Sequence, residues 1–412
     1  MQPEDFHSAR APGRVLRHPK GYWTFIPQPL PPTMAWSAGL VTALSKADRA
    51  LGELAGLASM LPNPNLLIQP LIRREAVLSS RIEGTRASLG DLYAFEAVQL
   101  TLFEFPEDVQ EVRNYVLALQ YGLERLATLP VSLRLMRELH AHLLKGVRGE
   151  QWTPGEFRGS QNWIGAPGST IQTATYVPPP VDEMNQALND MEKFIHERDD
   201  LPALIRLALV HYQFEAIHPF LDGNGRVGRL LNTLLLHDWG LLSQPVLYLS
   251  AYFEANRQAY YDRLLAVSQK GAWDEWLKYF LYGVQTQAAD SVRRIQRLQA
   301  LRDGYRGQFQ QTRSAARLLQ VIDWLFNQPI FDIPQLSQML SVNYSAAQRY
   351  VLQLEKAGII SEITGQARNR VPGERNISGR CPRFVTDNSR MVFGERHSVH
   401  TVRRLRLHLS LW

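Results

Sequence analysis

Residues 217–229 (IHPFLDGNGRVGR) bring an imidazole, a carboxylate, a Gly-Asn-Gly turn and two arginines together in one short stretch. His218 is the side chain there that titrates near neutral pH, which makes it a candidate general base. Gly223 and Gly225, on either side of Asn224, can adopt positive φ angles and turn successive backbone N–H groups toward one anion. We therefore expect this turn to cradle the phosphate groups of a ligand.

A helix is predicted to begin directly after the turn, because apolar residues recur there at helical spacing. The positive end of its dipole would favour an anion. Arg226 and Arg229 would share a face of the first turn, which is unfavourable unless an anion lies between them and the turn. Beside a polyphosphate, Asp222 is expected to hold a divalent cation such as Mg²⁺. The apolar positions are Val227, Leu230, Leu231, Leu234 and Leu235.

The stretch matches His-Pro-Phe-x-Asp/Glu-Gly-Asn-Gly-Arg-x-x-Arg at every defined position and so resembles the signature of the Fic family. The resemblance implies an all-α Fic fold with a small β-hairpin flap. It also implies that the chain binds ATP with Mg²⁺ and transfers AMP to a Ser, Thr or Tyr hydroxyl of a target protein, or of itself, releasing pyrophosphate. Doc-like relatives, which transfer phosphoryl groups, have a lysine at the position of Gly225.

The resemblance assigns a role to each residue of the motif. His218 would deprotonate the target hydroxyl, and Asp222 would bind the metal. Arg226 and Arg229 would neutralise the β- and γ-phosphates. The implied nucleotide-binding residues of the motif are His218, Gly223, Asn224, Gly225, Arg226, Val227, Gly228 and Arg229. Asn256 matches the family position that contacts the adenosine part.

A second motif lies upstream of the first. Gly84 is expected to end a helix over residues 66–83, which would leave the Glu83 carboxylate at the negative end of the helix dipole. On the local pattern alone, Glu83 is an exposed surface glutamate. With Ser79 and Gly84, however, it is similar to the inhibitory-helix motif of Fic proteins. This resemblance implies that Glu83 enters the nucleotide site, pairs with Arg229 and holds ATP in an unproductive pose.

The same glutamate has a second use in the family, the positioning of water that removes AMP from a modified target. Net removal of AMP is therefore an alternative function. Two short β-prone runs flanking residues 165–168 predict a hairpin. In the resemblance this hairpin is the flap, which aligns the target protein by strand addition, and an ordinary surface hairpin is the alternative.

Composition excludes several classes of protein. No run approaches the roughly 18 apolar residues of a membrane helix, and residues 1–20 carry charges where a signal peptide has an apolar core. We therefore expect a cytoplasmic protein without a membrane partner. The single cysteine, Cys381, excludes a disulfide framework and a cysteine-based metal site. Eight arginines against three acidic residues after residue 370 account for most of the formal net charge of +6.

The 412 residues predict several domains. We expect an irregular N-terminal arm at 1–34, a helical region with the inhibitory helix at 35–125, the Fic catalytic core at 126–305, a winged helix-turn-helix domain at 310–370 and a basic tail at 371–412. The tail is interpreted as disordered or as an aberrant terminus, with an arginine-rich nucleic-acid segment as the alternative.

The sequence does not decide what the predicted winged helix-turn-helix domain binds. Its polar residues would face a major groove of DNA, but acidic residues lie nearby, so docking of a protein or formation of a homodimer are equal alternatives. A DNA-binding regulator whose Fic region senses nucleotide is the second overall hypothesis. The candidate DNA contacts are Asn343, Tyr344, Ser345, Gln348 and Arg349.

Overall fold

The computed structural model describes residues 1–6, 11–61, 64–97, 106–197, 200–312, 314–363 and 404–407. The chain divides into two units, Met1–Arg306 and Gly307–Trp412. Both are built mainly from helices, which confirms the predicted all-α class. Among the described helices, none combines the length and hydropathy needed to cross a bilayer.

Helices make up most of the first unit because apolar residues recur there every three to four positions. These helices are α1 (Ala38–Ser59), α2 (Pro64–Ile82), α3 (Leu89–Ala97), α4 (Glu107–Arg125), α5 (Leu133–Leu143), α6 (Val181–His196), α7 (Ala203–Ile217), α8 (Asn224–Asp238), α9 (Ser250–Ala255), α10 (Arg257–Lys270) and α11 (Trp273–Phe309), whose last residues belong to the second unit.

Helices α7 and α8 lie at the centre of this unit and pack against each other. Most residues of both helices are buried. Helix α7 is apolar on most sides, as expected of a core helix, whereas α8 also buries Arg226 and Arg229. The turn between these two helices carries the motif, so its backbone is fixed at both ends by the core. Helix α2 packs against α4 and α9 and ends at Ile82, and Gly84 (φ 100°) turns the chain away, in agreement with the predicted helix end.

The N-terminal region contains a hairpin where we predicted an irregular arm. Strands β1 (Gly13–Arg17) and β2 (Trp23–Pro27) pair antiparallel. The alternating aromatic residues of β2 explain the difference, because Phe25 is fully buried and its N–H donates to Val177 O at 2.9 Å. The predicted flap hairpin is reduced to one antiparallel bridge between Ile164 and Tyr176.

The second unit contains α12 (Ala315–Asn327), β3 (Ile330–Asp332), α13 (Ile333–Leu340), α14 (Tyr344–Lys356), β4 (Ile360–Glu362) and β5 (Arg404–Leu407). Strand β5 lies between β3 and β4 and is antiparallel to both. The winged helix-turn-helix name given from the sequence stays a prediction.

The second unit extends beyond residue 370, where we predicted that its folded domain ends, because strand β5 lies at 404–407. Leu405 and Leu407 are buried in the sheet, so part of the expected basic tail belongs to the second unit. Two leucines alternating with arginines were too short a pattern to reveal a strand. Residues 364–403 and 408–412, which make up the rest of that tail, lie outside the described residues.

Candidate active site

His218 directly follows α7 and has a left-handed backbone conformation (φ 50°, ψ 61°). Few residues other than glycine adopt this conformation, so the surrounding structure must hold it. The imidazole is half-buried, and its Nδ1 lies 3.3 Å from Glu215 O. A carbonyl only accepts, so Nδ1–H is the donor, and in the neutral ring Nε2 is left to accept a proton.

The electrostatic surroundings keep His218 neutral at physiological pH. Burial lowers the pKa of His218 to about 4, and the charge of Arg158 acts in the same direction. Glu83 and Asp222 act in the opposite direction but do not outweigh these two effects. The unprotonated ring is the form that a general base requires.

The phosphate turn differs in detail from the prediction. Of Gly223, Asn224 and Gly225, Gly223 alone has a left-handed backbone (φ 77°), at the N-cap of α8. The side chain of Asn224 forms two 2.8 Å hydrogen bonds with the backbone of Phe220, accepting from its N–H and donating to its carbonyl oxygen. Asn224 therefore braces the loop, and the anion would meet the backbone at the start of α8.

Gly225 is required because Glu83 approaches the backbone of α8 closely. A Cβ atom at Gly225 would clash with Glu83 Oε1 and would lie 2.8 Å from Arg229 Nη1. A glycine in the first turn of α8 thus makes room for both members of an ion pair, although its own backbone is helical.

The predicted pair between Glu83 and Arg229 is present. Arg229 Nη2 donates to Glu83 Oε1 at 2.6 Å, while Nε donates to Ser79 Oγ at 2.8 Å. Arg229 is 2 % exposed and the Glu83 side chain 31 %. Burial raises the pKa of Glu83, but the charge and hydrogen bond of Arg229 outweigh it and leave the pKa below its ordinary value. The carboxylate is thus ionised and bound to the arginine.

Arg226 occupies a different acidic environment. Its guanidinium is 1 % exposed and lies 3.6 Å from Glu111 Oε2 and 3.8 Å from Asp222 Oδ2. Among the described residues, its Nε and Nη1 have no hydrogen-bond partner. Buried donors of this kind are costly unless a ligand satisfies them. Arg226 is therefore suited to bind an anion such as a phosphate.

Asp222 is suited to a metal ion that arrives with a nucleotide. Its Oδ1 accepts from Gly223 N at 2.7 Å, and the side chain is 36 % exposed. The described residues contain no group of three or more His, Cys, Asp or Glu side chains that could hold a metal ion by itself. Mg²⁺ is commonly held by one or two carboxylates together with substrate phosphates and water. One accessible carboxylate beside a phosphate turn fits that mode of binding.

Three further residues, predicted to contact the nucleotide, have contacts within the protein, and their contact with a nucleotide stays a prediction. Val227 is fully buried and its N–H donates to Gly223 O, so it serves packing and the helix start. A Cβ at Gly228 would lie 2.6 Å from Glu215 Oε1, so this glycine admits a neighbouring carboxyl group. Asn256 is exposed between α9 and α10, and its Nδ2 donates to Tyr252 O.

The predicted DNA contacts lie at the start of α14. Asn343 caps the helix, accepting from Ala346 N at 2.9 Å. Tyr344 is 51 % exposed, Ser345 and Arg349 are also exposed, and Gln348 is half-buried. Contact with DNA through these side chains stays a prediction.

Sequence reasoning missed the residues that support the motif from other segments. Glu111 on α4 bridges Arg226 and Thr85, whose hydroxyl donates to Glu111 Oε2 at 2.8 Å. Arg158 lies sixty positions from His218 in the chain but donates to its carbonyl oxygen. The contact of Arg158 with a backbone atom leaves no spacing pattern in a sequence.

The chain matches two parts of one protein family. Residues 41–124 match the Fic/DOC family N-terminal domain, and residues 130–236 match the Fic/DOC family domain itself. The second match covers α5 to α8 and therefore the whole motif. The chain therefore contains a Fic/DOC family domain.

Relatives of this chain carry informative names. It is 31 % identical over 134 residues to the protein adenylyltransferase Fic of Drosophila grimshawi, and 30 % identical over 134 residues to that of Drosophila yakuba. These matches cover 32 % of this chain and only 26 % and 25 % of the relatives. The chain thus spans about a quarter of the length of the curated relatives it matches.

A crystal structure of a Fic family protein from Desulfovibrio desulfuricans G20 has a similar fold. The superposition has a TM-score of 0.52 and covers 84 % of this chain and all of the other, with 21 % sequence identity. At this identity, the similarity establishes the fold alone.

Proposed function

We propose that the chain is an autoinhibited protein adenylyltransferase, which transfers AMP from ATP to a Ser, Thr or Tyr hydroxyl of a target protein or of itself. One observation carries this proposal: Glu83 is bound to Arg229 at the start of α8, beside a neutral His218. The names of the Drosophila relatives support the same reaction.

In this reaction the target hydroxyl oxygen attacks the α-phosphorus of ATP. His218 Nε2 accepts the hydroxyl proton, the bond between the α-phosphorus and its bridging oxygen breaks, and pyrophosphate leaves. Arg226 and the N-terminus of α8 would neutralise the phosphates. Mg²⁺ held by Asp222 would supply further charge neutralisation on the phosphate oxygens. General-base catalysis contributes about 10²–10⁴-fold to such rates, and positioning contributes the rest.

Inhibition follows from competition for Arg229. Its guanidinium already donates to Glu83 and Ser79, so the γ-phosphate of ATP cannot form the same contacts. ATP would then bind without the arginine that orients its phosphate chain. We expect this pose to direct the α-phosphorus away from His218.

The flap is the proposed docking site of the target. Trp163 and Ile164 are 42 % and 39 % exposed, although both are apolar. Ile164 pairs with Tyr176 through two backbone hydrogen bonds, which presents an extended segment beside the catalytic turn. An extended target segment could add to such a strand by backbone pairing.

Replacing Glu83 tests the inhibition. Glu83→Gly removes the carboxylate and frees Arg229, so incorporation of AMP from labelled ATP should rise at least about tenfold, the effect of one charge-assisted contact. Arg81→Ala is the matched control, because Arg81 lies in the same last turn of α2 and is exposed. An equal rise in both variants would mean that a loosened helix, and not the freed arginine, activates the chain.

Replacing His218 tests the chemistry. In the Glu83→Gly background, His218→Ala should abolish AMP incorporation while calorimetry with Mg²⁺ and ATP shows that nucleotide binding is largely intact. The reason is that the substitution removes the base but leaves the phosphate turn and the arginines in place. His196→Ala, which removes an exposed histidine of α6, is the control. Transfer that survives His218→Ala would exclude His218 as the base.

A further inference from the structure

Backbone carbonyl groups around His218 accept hydrogen bonds from one segment outside the motif. Arg158 Nε donates to His218 O at 3.0 Å, and Arg158 N donates to Pro219 O at 2.9 Å. Asn162 Nδ2 donates to Phe220 O at 2.7 Å and to His218 O at 3.3 Å. Three successive carbonyl groups are thus held by two residues.

Arg158 is an unusual buried cation. It is 1 % exposed, and among the described residues the acceptors of its guanidinium are backbone carbonyl oxygens. Besides His218 O, these are Ser160 O at 3.2 Å and Pro179 O at 2.6 Å. Burying a charge costs free energy, and these neutral carbonyl groups do not compensate the charge as a carboxylate would. The position must therefore require a guanidinium for another reason. The fork of a guanidinium can bind several carbonyls at fixed angles, which an ammonium group cannot do.

The same carbonyls belong to the strained part of the catalytic turn. A left-handed conformation at a residue other than glycine is unfavourable and persists only where neighbours hold it. A fourth contact comes from the flap, where Tyr176 OH donates to Ala216 O at 2.8 Å. The flap segment therefore holds the turn on both sides of His218.

We propose that Arg158 and Asn162 are positioning residues that hold the backbone of His218 in its left-handed conformation, so that Nε2 faces the target hydroxyl. The inference rests on the proposed function for its catalytic consequence. The same segment carries the flap, so it holds both the proposed docking site of the target and the base. The position of the base relative to the docking site is then fixed before the target binds.

Arg158 also has an electrostatic effect that Asn162 lacks. Its charge helps burial to lower the pKa of His218, against the opposite effects of Glu83 and Asp222. Loss of the charge should therefore raise that pKa, whereas loss of the neutral amide should not. This difference separates a positioning role from a general loss of stability.

The test compares variants in the full chain with Glu83→Gly as the parent. Arg158→Met should lower kcat for AMP incorporation by about 10²-fold, the cost of misplacing a catalytic group by about 1 Å, with KM for ATP within about twofold of the parent. The acid limb of its pH–rate profile should move to higher pH. Arg158→Lys should also lower kcat, but the pH of its acid limb should match that of the parent, because lysine keeps the positive charge. Arg206→Met, which removes another arginine bound to carbonyl groups, is the matched control.

Asn162→Ala keeps the inference testable if Arg158→Met does not fold. It should lower kcat about tenfold without moving the acid limb, and circular dichroism and the Kd for ATP should match the parent. Variants with the kcat and the pH profile of the parent would overturn the proposal. A loss confined to KM would also overturn it.

Nitrogen NMR of ¹⁵N-histidine-labelled protein separates this inference from the proposed function. The His218 signal, assigned with His218→Ala, reports the pKa and the protonated ring nitrogen without any turnover. Arg158→Met should raise the pKa and weaken the preference for Nδ1–H, and Asn162→Ala should change only that preference. Unchanged signals would refute the positioning role. If the parent transfers no AMP but the signals change, the proposed function fails and the positioning role stands.

Discussion

Glu83 is charged wherever the protein is folded near neutral pH. An ordinary glutamate has a pKa of about 4.3, and Arg229 holds the pKa of Glu83 below its ordinary value. A lowered pKa means that the ion pair stabilises the fold above the ordinary pKa and is lost only as pH falls through the lowered one. Mild acidification therefore cannot release Arg229. Release requires movement of the end of α2 or a competing anion.

The pKa of His218 predicts an unusual pH profile for AMP transfer. Its value of about 4 lies below the ordinary histidine value of about 6.5, so the base stays unprotonated into the acidic range. The Glu83→Gly variant should therefore keep its kcat/KM down to about pH 5, and the acid limb should lie below it. Removing Glu83 takes away a charge that raises this pKa, which shifts the limb further down. The measurement is the initial rate of AMP incorporation as a function of pH.

Unfolding in acid must be distinguished from protonation of the base. Fluorescence of the tryptophans and the Kd for ATP, followed over the same pH range, report the fold and the nucleotide site. If both stay constant while the rate falls with a midpoint near the ordinary histidine value, the assigned environment of His218 is wrong.

At the level of single residues, the side chains proposed to act on the ligand could be predicted from the sequence. The side chains that hold them in position could not. Glu83 and Arg229 are 146 positions apart, yet each carries a local pattern, and the structure joins them. Arg158 and Asn162 act on backbone carbonyls, which every residue possesses. No residue type at the receiving position marks such a contact, so periodicity and motif spacing could not reveal it.

At the level of elements, the depth of α8 in the core depends on its close approach to α4 at one glycine. A Cβ at Gly122 would lie 2.9 Å from Leu234 on α8 and 3.0 Å from Leu139 on α5. Both leucines are fully buried, so neither can move away into solvent. Gly122→Ala should therefore lower the free energy of unfolding by about 1–3 kcal/mol through overpacking. Urea unfolding at constant m-value measures this change.

Gly56→Ala is the matched control, because Gly56 lies inside α1 with no atom near the position of a Cβ. There the substitution should raise the free energy of unfolding by about 0.4–1 kcal/mol, since alanine restricts the unfolded chain. Equal effects at the two positions would mean that helix propensity, and not the packing of α4 against α8, decides the result.

The elements also show where local patterns stop being informative. Helix α2 was predicted from a local pattern and spans Pro64–Ile82, close to the predicted 66–83. The β1–β2 hairpin and strand β5 depend on pairing with distant partners. Arg406 in β5 pairs with Ile330 in β3 across most of the second unit, and four residues of β5 are too few for a periodic signal.

At the level of the whole molecule, the described part of the second unit is nearly balanced in charge, although the expected basic tail lies mostly outside it. Its described residues include five basic and four acidic ones, so a nucleic acid would meet few cations on this part of the unit. The basic residues are Arg317, Arg349, Lys356, Arg404 and Arg406, and the acidic ones are Asp323, Asp332, Glu355 and Glu362. Within the described part of this unit, duplex binding would then depend on the few exposed groups of α14.

This charge balance yields a prediction for DNA binding by the full chain. If α14 enters a major groove, Arg349 neutralises one phosphate, so Arg349→Ala should reduce the slope of log K against log salt by about 1. Arg317→Ala is the control, because Arg317 on α12 is bound to Leu340 O. The measurement is a gel shift with one duplex over a series of salt concentrations. Equal slopes for Arg349→Ala and the unmodified chain would exclude α14 from the contact. The exposed side of α14 that carries Tyr344 would then be a candidate site for a protein partner.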